Sequence, residues 1–198
     1  MHLTMFDTPV LRTLLRLLSL LALKLLGWKT EGGVPDGCKK AVMIAAPHTS
    51  NWDLPYTLMV AFALRIPIYW MGKEQIFKPP FRGLMMWMGG IPVDRSKANN
   101  MVAATAEALQ QAESLIVVVP PEGTRSHTRY WKTGFYYIAH TAGVPILLGF
   151  LDYERKVGGI GPLFTPTGNI DSDMAKIKQF YAPIKGRRPD LFHNDEQG

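Results

Sequence analysis

Three short polar clusters carry the residue types that could do chemistry. The first follows the apolar run AVMIAA and reads Pro47, His48, Thr49, Ser50, Asn51, Trp52, Asp53. A histidine titrates near neutrality and can take the proton of an attacking hydroxyl, and a carboxylate on its other ring nitrogen fixes the tautomer and raises its basicity. Pro55 cannot sit deep inside a helix, so the spacing predicts a helix beginning near Asp53 or Leu54 with the proline in its first turn. His48 is then on the loop and Asp53 at the helix start, where the chain can fold back and join them. The bland alternative is that Asp53 is only an N-cap and His48 an ordinary loop residue. The second cluster, GGIPVDR from Gly89 to Arg95, delivers Asp94 and Arg95 to the end of a short strand. The third, PPEGTRS from Pro120 to Ser126, directly follows LIVVV. Gly123 beside Thr124, Arg125 and Ser126 offers backbone amides, two hydroxyls and a guanidinium, a set suited to phosphate. Glu122 would repel a phosphate unless it turns away to organise the loop.

The elements that position these clusters follow from the hydrophobic pattern. Runs rich in β-branched residues at Ala41 to Ala46, Ile66 to Met71, Ile91 to Val93, Leu115 to Val119 and Val144 to Leu151 are strand candidates. Leu54 to Leu64, Phe81 to Met88, Ala98 to Ala112 and Gly134 to Ala142 have helical character. This alternation predicts an α/β fold with a largely parallel sheet flanked by helices, which places its chemistry beyond the carboxyl ends of the strands.

Upstream, the leucine-dense stretch from Val10 to Trp28 predicts a helix interrupted by Arg12, Arg16 and Lys24. Its uninterrupted apolar run, Leu17 to Leu23, is far short of the roughly 20 residues of a bilayer span. At about 100° per residue the three cations share one third of the circumference, which suits an amphipathic helix lying in a membrane interface; packing onto the domain is the competing expectation. Glu31 to Gly37, EGGVPDG, reads as a turn or linker. The expected organisation is a membrane-associating helix over residues 1–30 and a single domain over 38–198.

The chain has 198 residues and a formal charge of +6, so a basic surface should meet phosphate-bearing partners. The 22 basic residues are scattered in ones and twos rather than in a stripe with exposed aromatics, which favours lipid and argues against nucleic acid. A lone cysteine, Cys38, excludes an internal disulfide and a cysteine-rich metal site. His2, His48, His127, His140 and His193 show no metal-ligand spacing, and no phosphate-binding glycine motif of a nucleotide enzyme is present.

Taken in order, H-x4-D, G-x-I-x-x-D-R and P-E-G-T-R-S resemble the glycerophosphate and lysophospholipid acyltransferase family, which includes the 1-acylglycerol-3-phosphate acyltransferases. Lys73 and Glu74 ahead of Pro80 and Gly83, Lys132 and Gly134, and Gly143 to Ile146 extend the resemblance, which runs from about Ala41 to Leu151. Pro47, where the family commonly has Asn, and the Leu-Gly around Leu148 mark a compact subgroup. The resemblance implies O-acyl transfer from acyl-CoA or acyl carrier protein to a lysophospholipid-type hydroxyl, with no cofactor beyond the donor substrate. It implies His48 as general base with Asp53 as partner. It also implies an acceptor site of Lys73, Arg95, Glu122, Gly123, Thr124, Arg125 and Ser126, while the lone cysteine and the amphipathic helix set the expected place as the cytoplasmic face of a membrane. Two rivals remain at this point: an acyl hydrolase with Ser50 as nucleophile, disfavoured by the absence of a G-x-S-x-G elbow, and a non-catalytic lipid-binding module.

Overall fold

The computed structural model describes residues 3–93, 98–125, 127 and 130–192. A seven-stranded sheet forms its centre: β1 (Lys29–Glu31), β2 (Lys40–Ala46), β3 (Ile68–Lys73), β4 (Gly90–Val93), β5 (Leu115–Val119), β6 (Ile146–Asp152) and β7 (Val157–Phe164), in the spatial order β1-β7-β6-β2-β5-β3-β4. Every pairing is parallel except the β6–β7 hairpin. The helices are α1 (Pro9–Leu25), α2 (Asp53–Ala63), α3 (Arg82–Trp87), α4 (Ala98–Gln111), α5 (Gly134–Ala142) and α6 (Ile170–Tyr181).

The central strands are apolar at nearly every position because both sheet faces are covered. Side chains alternate between those faces along each strand. Val42, Ile44, Leu115 and Val117 pack with Leu109 of α4, Phe135 and Ile138 of α5, and Ile177 and Tyr181 of α6. Ala41, Met43, Ile116 and Val118 pack with Ala61 and Phe62 of α2 and with Met85 and Met86 of α3.

Several boundaries differ from the sequence expectation for identifiable reasons. β3 begins at Ile68 rather than Ile66 because Pro67 has no N–H to give to a ladder, while Arg65 turns the chain at a φ of 60°. Helix α1 stops at Leu25, and the chain folds back at Gly27 so that the Trp28 N–H donates to the Leu23 carbonyl. A short strand, β1, paired with β7, runs between the helix and the expected linker and shares only Glu31 with the linker. Strand β7, with sequence VGGIGPLF, and helix α6 were not expected from the sequence.

One face of α1, including Leu11, Leu15 and Leu23, packs on the domain, and Trp28 stacks on Tyr56 of α2 at 4.4 Å. A second face is bare: Val10, Leu14, Leu17, Leu18, Leu21 and Leu25 are 51–81% exposed. Among the described residues no helix is long and apolar enough to cross a membrane.

Candidate active site

Because β2, β5, β3 and β4 run parallel as neighbours, their carboxyl ends share one edge of the sheet. The loop after β2 brings His48, the loop after β5 brings Glu122 to Arg125, and Lys73 is the last residue of β3. Asp94, Arg95 and Ser126, which the sequence assigns to the same edge, lie outside the described residues.

The loop from Pro47 to Trp52 folds back on Asp53, the first residue of α2. His48 Nδ1 lies 3.2 Å from Asp53 Oδ2. That oxygen also accepts the N–H groups of Thr49 at 2.9 Å and Ser50 at 2.8 Å, and the other accepts the Tyr153 hydroxyl at 2.8 Å. Asp53 is therefore no mere N-cap: the N-cap position of α2 falls to Trp52, and the Asp53 side chain gathers the loop. The Asp53 side chain is 5% exposed and the His48 side chain 23%, so the pair is enclosed at the carboxylate and reachable at the imidazole. With Nδ1 committed to Asp53, Nε2 is the nitrogen left to act on a proton. Ser50 Oγ accepts the Trp52 N–H at 3.2 Å and makes no hydrogen bond to His48 among the described residues, so the geometry a serine nucleophile needs is not formed.

Glu122 is turned inward. It is 3% exposed, and its Oε1 accepts the His48 backbone N–H at 2.9 Å while Oε2 has no partner among the described residues. Burial pushes this carboxyl up to about 7, against the opposing pull of the His48 N–H. Facing the His48 main chain, it organises the loop, and its carboxylate is not offered to a phosphate beside Arg125. Gly123 follows at a φ of 65°, where a Cβ would lie 2.9 Å from Lys132 Cδ and Cε, so glycine lets the lysine stem pass under the turn. Gly123, Thr124, Arg125 and Lys73 line the same cavity as His48.

That cavity has a volume of about 390 Å³. It leads from the dyad under α2, where Val60, Ala61, Ile68, Val118 and Ile160 surround it with apolar wall. A polar mouth with one reactive pair and an apolar interior is the form of a site for a ligand with a polar head and a hydrocarbon tail.

Two contributors escaped the sequence reading. Tyr153 sits a hundred residues from Asp53 in the chain and reaches it through the β6–β7 turn. Asp152 shapes that turn by accepting the N–H groups of Glu154 and Arg155 and the Arg155 Nε–H. Burial first, then the charge and hydrogen bond of Asp53, hold the Tyr153 phenol far above its ordinary range, so it stays a donor. The second is the segment 185–188, whose Arg188 N–H donates to Thr49 Oγ1 at 3.1 Å. No local pattern marks either one, since both act through contacts remote in sequence. His140 lies on α5 with its ring parallel to that of Tyr136 and takes no part in the site.

The largely parallel sheet and the His–Asp pair at its carboxyl edge define an α/β fold with its candidate site beyond the strand ends. The family model for acyltransferases matches residues 29–147, and the chain belongs to that family. Its fold is also that of the 1-acyl-sn-glycerophosphate (LPA) acyltransferase PlsC from Thermotoga maritima, with a TM-score of 0.58 over 87% of this chain and 80% of that one at 17% identity. No curated protein matches the sequence.

Proposed function

We propose that the chain transfers a fatty acyl group from acyl-CoA or acyl carrier protein to the free hydroxyl of a lysophospholipid-type acceptor, 1-acylglycerol 3-phosphate or a close analogue. The observation that carries this reading is the His48–Asp53 pair at the mouth of an apolar cavity lined also by Arg125 and Lys73. His48 Nε2 takes the acceptor hydroxyl proton as the oxygen attacks the thioester carbonyl. The tetrahedral intermediate collapses, the carbon–sulfur bond breaks, and the imidazolium returns its proton to the leaving thiolate. Asp53 stabilises the imidazolium while it exists. A general base of this kind contributes about 10²- to 10⁴-fold. Lys73, Arg95, Gly123, Thr124, Arg125 and Ser126 serve the acceptor phosphate, with Glu122 holding the loop.

The bare leucine stripe of α1 supports a peripheral seat on the cytoplasmic face of a membrane, where both acyl-bearing substrates partition. The test is to incubate the full chain with labelled acyl-CoA or acyl carrier protein and a panel of lyso-lipids in vesicles, identifying products by mass. A phosphate-bearing diacyl product, lost in His48→Ala, is expected. Transfer undiminished in a folded His48→Ala protein, or no ester with any acceptor, would overturn the reading.

A further inference from the structure

Beyond the Arg125 loop, a second cationic group stands at the catalytic loop. The segment Lys185-Gly186-Arg187-Arg188 lies across residues 47–52: the Tyr153 N–H donates to the Lys185 carbonyl at 2.9 Å and the Arg188 N–H to Thr49 Oγ1 at 3.1 Å. The approach is so close that a Cβ at Gly186 would lie 2.8 Å from Thr49 Oγ1 and 2.9 Å from Pro47 Cβ, so only glycine fits there. Arg187 is held in place by two rings, its guanidinium carbon 5.4 Å from the Trp52 ring centre and 6.0 Å from that of Tyr153.

The three side chains are exposed, and none makes an ion pair among the described residues. Three of the nearby carboxylates are already committed, Asp53 to the loop amides and Tyr153, Glu122 to the His48 N–H and Asp152 to Arg155, and those of Glu154 and Asp190 make no ion pair with the segment among the described residues. Three like charges within four residues repel one another, and here the fold fixes their backbone and one of their side chains with no ion pair among the described residues to offset them. A planar guanidinium held by stacking is preorganised for a phosphate, because little rotamer freedom is left to lose on binding.

We infer that Lys185, Arg187 and Arg188 form a second phosphate-binding site beside the dyad, separate from the Arg125 loop, for a phosphate of one of the two substrates. The inference rests on the acyl-transfer reading in that both substrates of such a reaction bear phosphate. The shared chemistry has two sources, the phosphates of the thioester donor and the headgroup of the acceptor.

The experiment uses the full chain and its Lys185→Ala, Arg187→Ala and Arg188→Ala variants, with folding checked by circular dichroism. Coenzyme A and glycerol 3-phosphate are titrated separately by calorimetry, and KM and kcat are measured for donor and acceptor. Because Arg187 also braces Tyr153, the Lys185 and Arg188 variants report on charge without that contact. The expected result is a loss of about tenfold in affinity for one probe, the worth of one charge-assisted contact, with a matching rise in that substrate's KM and little change in kcat. Loss confined to coenzyme A assigns the site to the donor, and loss confined to glycerol 3-phosphate assigns it to the acceptor. Unchanged affinity for both probes in all three variants overturns the inference. So does a loss seen only in binding to phosphatidylglycerol vesicles, which would make the cations headgroup contacts. If the wild-type chain binds a probe through these cations but transfers no acyl group, the site stands and the proposed function falls. Normal transfer with unaltered binding gives the reverse.

Discussion

Two aspartates in this molecule are built almost alike and do different things. Asp53 and Asp173 are each 4% exposed or less and stand in the first turn of a helix. Each accepts the backbone N–H of a preceding loop, Thr49 and Ser50 for one and Thr167 for the other. Each also accepts a tyrosine hydroxyl, from Tyr153 at 2.8 Å and from Tyr136 at 2.9 Å. The difference is the remaining partner. Asp53 Oδ2 meets a partly exposed imidazole at the mouth of a cavity, whereas the fully buried Asp173 carboxylate gives its last acceptor capacity to the hydroxyl of Thr167 in its own preceding loop. On the proposed function, one polar device serves as a structural clasp or as part of a proton-transfer site, and the group it presents to open space decides which.

The largest effect that could break this comparison comes from neutralising each carboxylate in turn. Asp53→Asn removes the charge that stabilises an imidazolium and permits the wrong tautomer, so turnover of the folded protein should fall about 10²- to 10⁴-fold, far beyond what any loss of stability from its loop donors accounts for. Asp173→Asn should do the opposite, lowering stability by about 1–3 kcal/mol because buried donors lose their acceptor, with turnover of the folded protein near normal. Parallel denaturant melts and steady-state kinetics read both. Equal losses of turnover in the two variants would show that the distinction is false.

The tyrosines offer a finer cut. Tyr153→Phe keeps the ring that packs on Trp28 and Tyr56 but removes one donor from Asp53. The loss of one hydrogen bond to a charged group predicts a fall of about tenfold in kcat with folding intact. Tyr136→Phe should leave kcat alone and lower the stability by about 1 kcal/mol. A Tyr153→Phe enzyme with undiminished kcat would confine the proton machinery to His48 and Asp53.

The same contrast explains what could be read from the chain. His48 and Asp53 were legible because a six-residue loop between a strand and a proline-bearing helix confines the geometry, and the parallel direction of β2, β3 and β5 followed from apolar runs separated by helices, though their spatial order did not. Tyr153 was not, since its bond to Asp53 depends on β7, whose GGIGP sequence looks like a loop and becomes a strand only because β6 and β1 pair with it. Helix α6 did carry a signal: Ile170, Met174, Ile177 and Tyr181 recur at helical spacing behind Asn169, whose side chain caps the Ser172 N–H. Glu122 was read through the resemblance as part of a phosphate site, together with the possibility that it turns away to order the loop. Its inward bond to the His48 N–H follows from the pairing of β2 with β5, which sets the two loops side by side.

Glu122 also supplies the smallest and most selective test, through pH. Burial raises its carboxyl from 4.5 to about 7, so the folded state holds this proton more tightly than the unfolded chain does. The stability this confers is complete below about pH 4.5 and is lost as pH rises through about 7, a change of about 3 kcal/mol at most. Glutamine cannot titrate, yet its carbonyl can still accept the His48 N–H. Glu122→Gln should therefore keep most of its turnover, and its stability relative to wild type should improve between pH 5 and pH 8. Asp173 runs the other way: burial alone would raise it, but the bonds from Thr167 and Tyr136 and the charge of Lys176 hold it below its ordinary value. Its contribution is present above about pH 4 and lost only on further acidification, so the deficit of Asp173→Asn should stay flat across the same interval. Thermal melts of both variants and wild type at pH 5 and pH 8 measure the two slopes. A Glu122→Gln difference as flat as that of Asp173→Asn would mean that the buried carboxyl does not titrate there and that Oε2 is satisfied in solution.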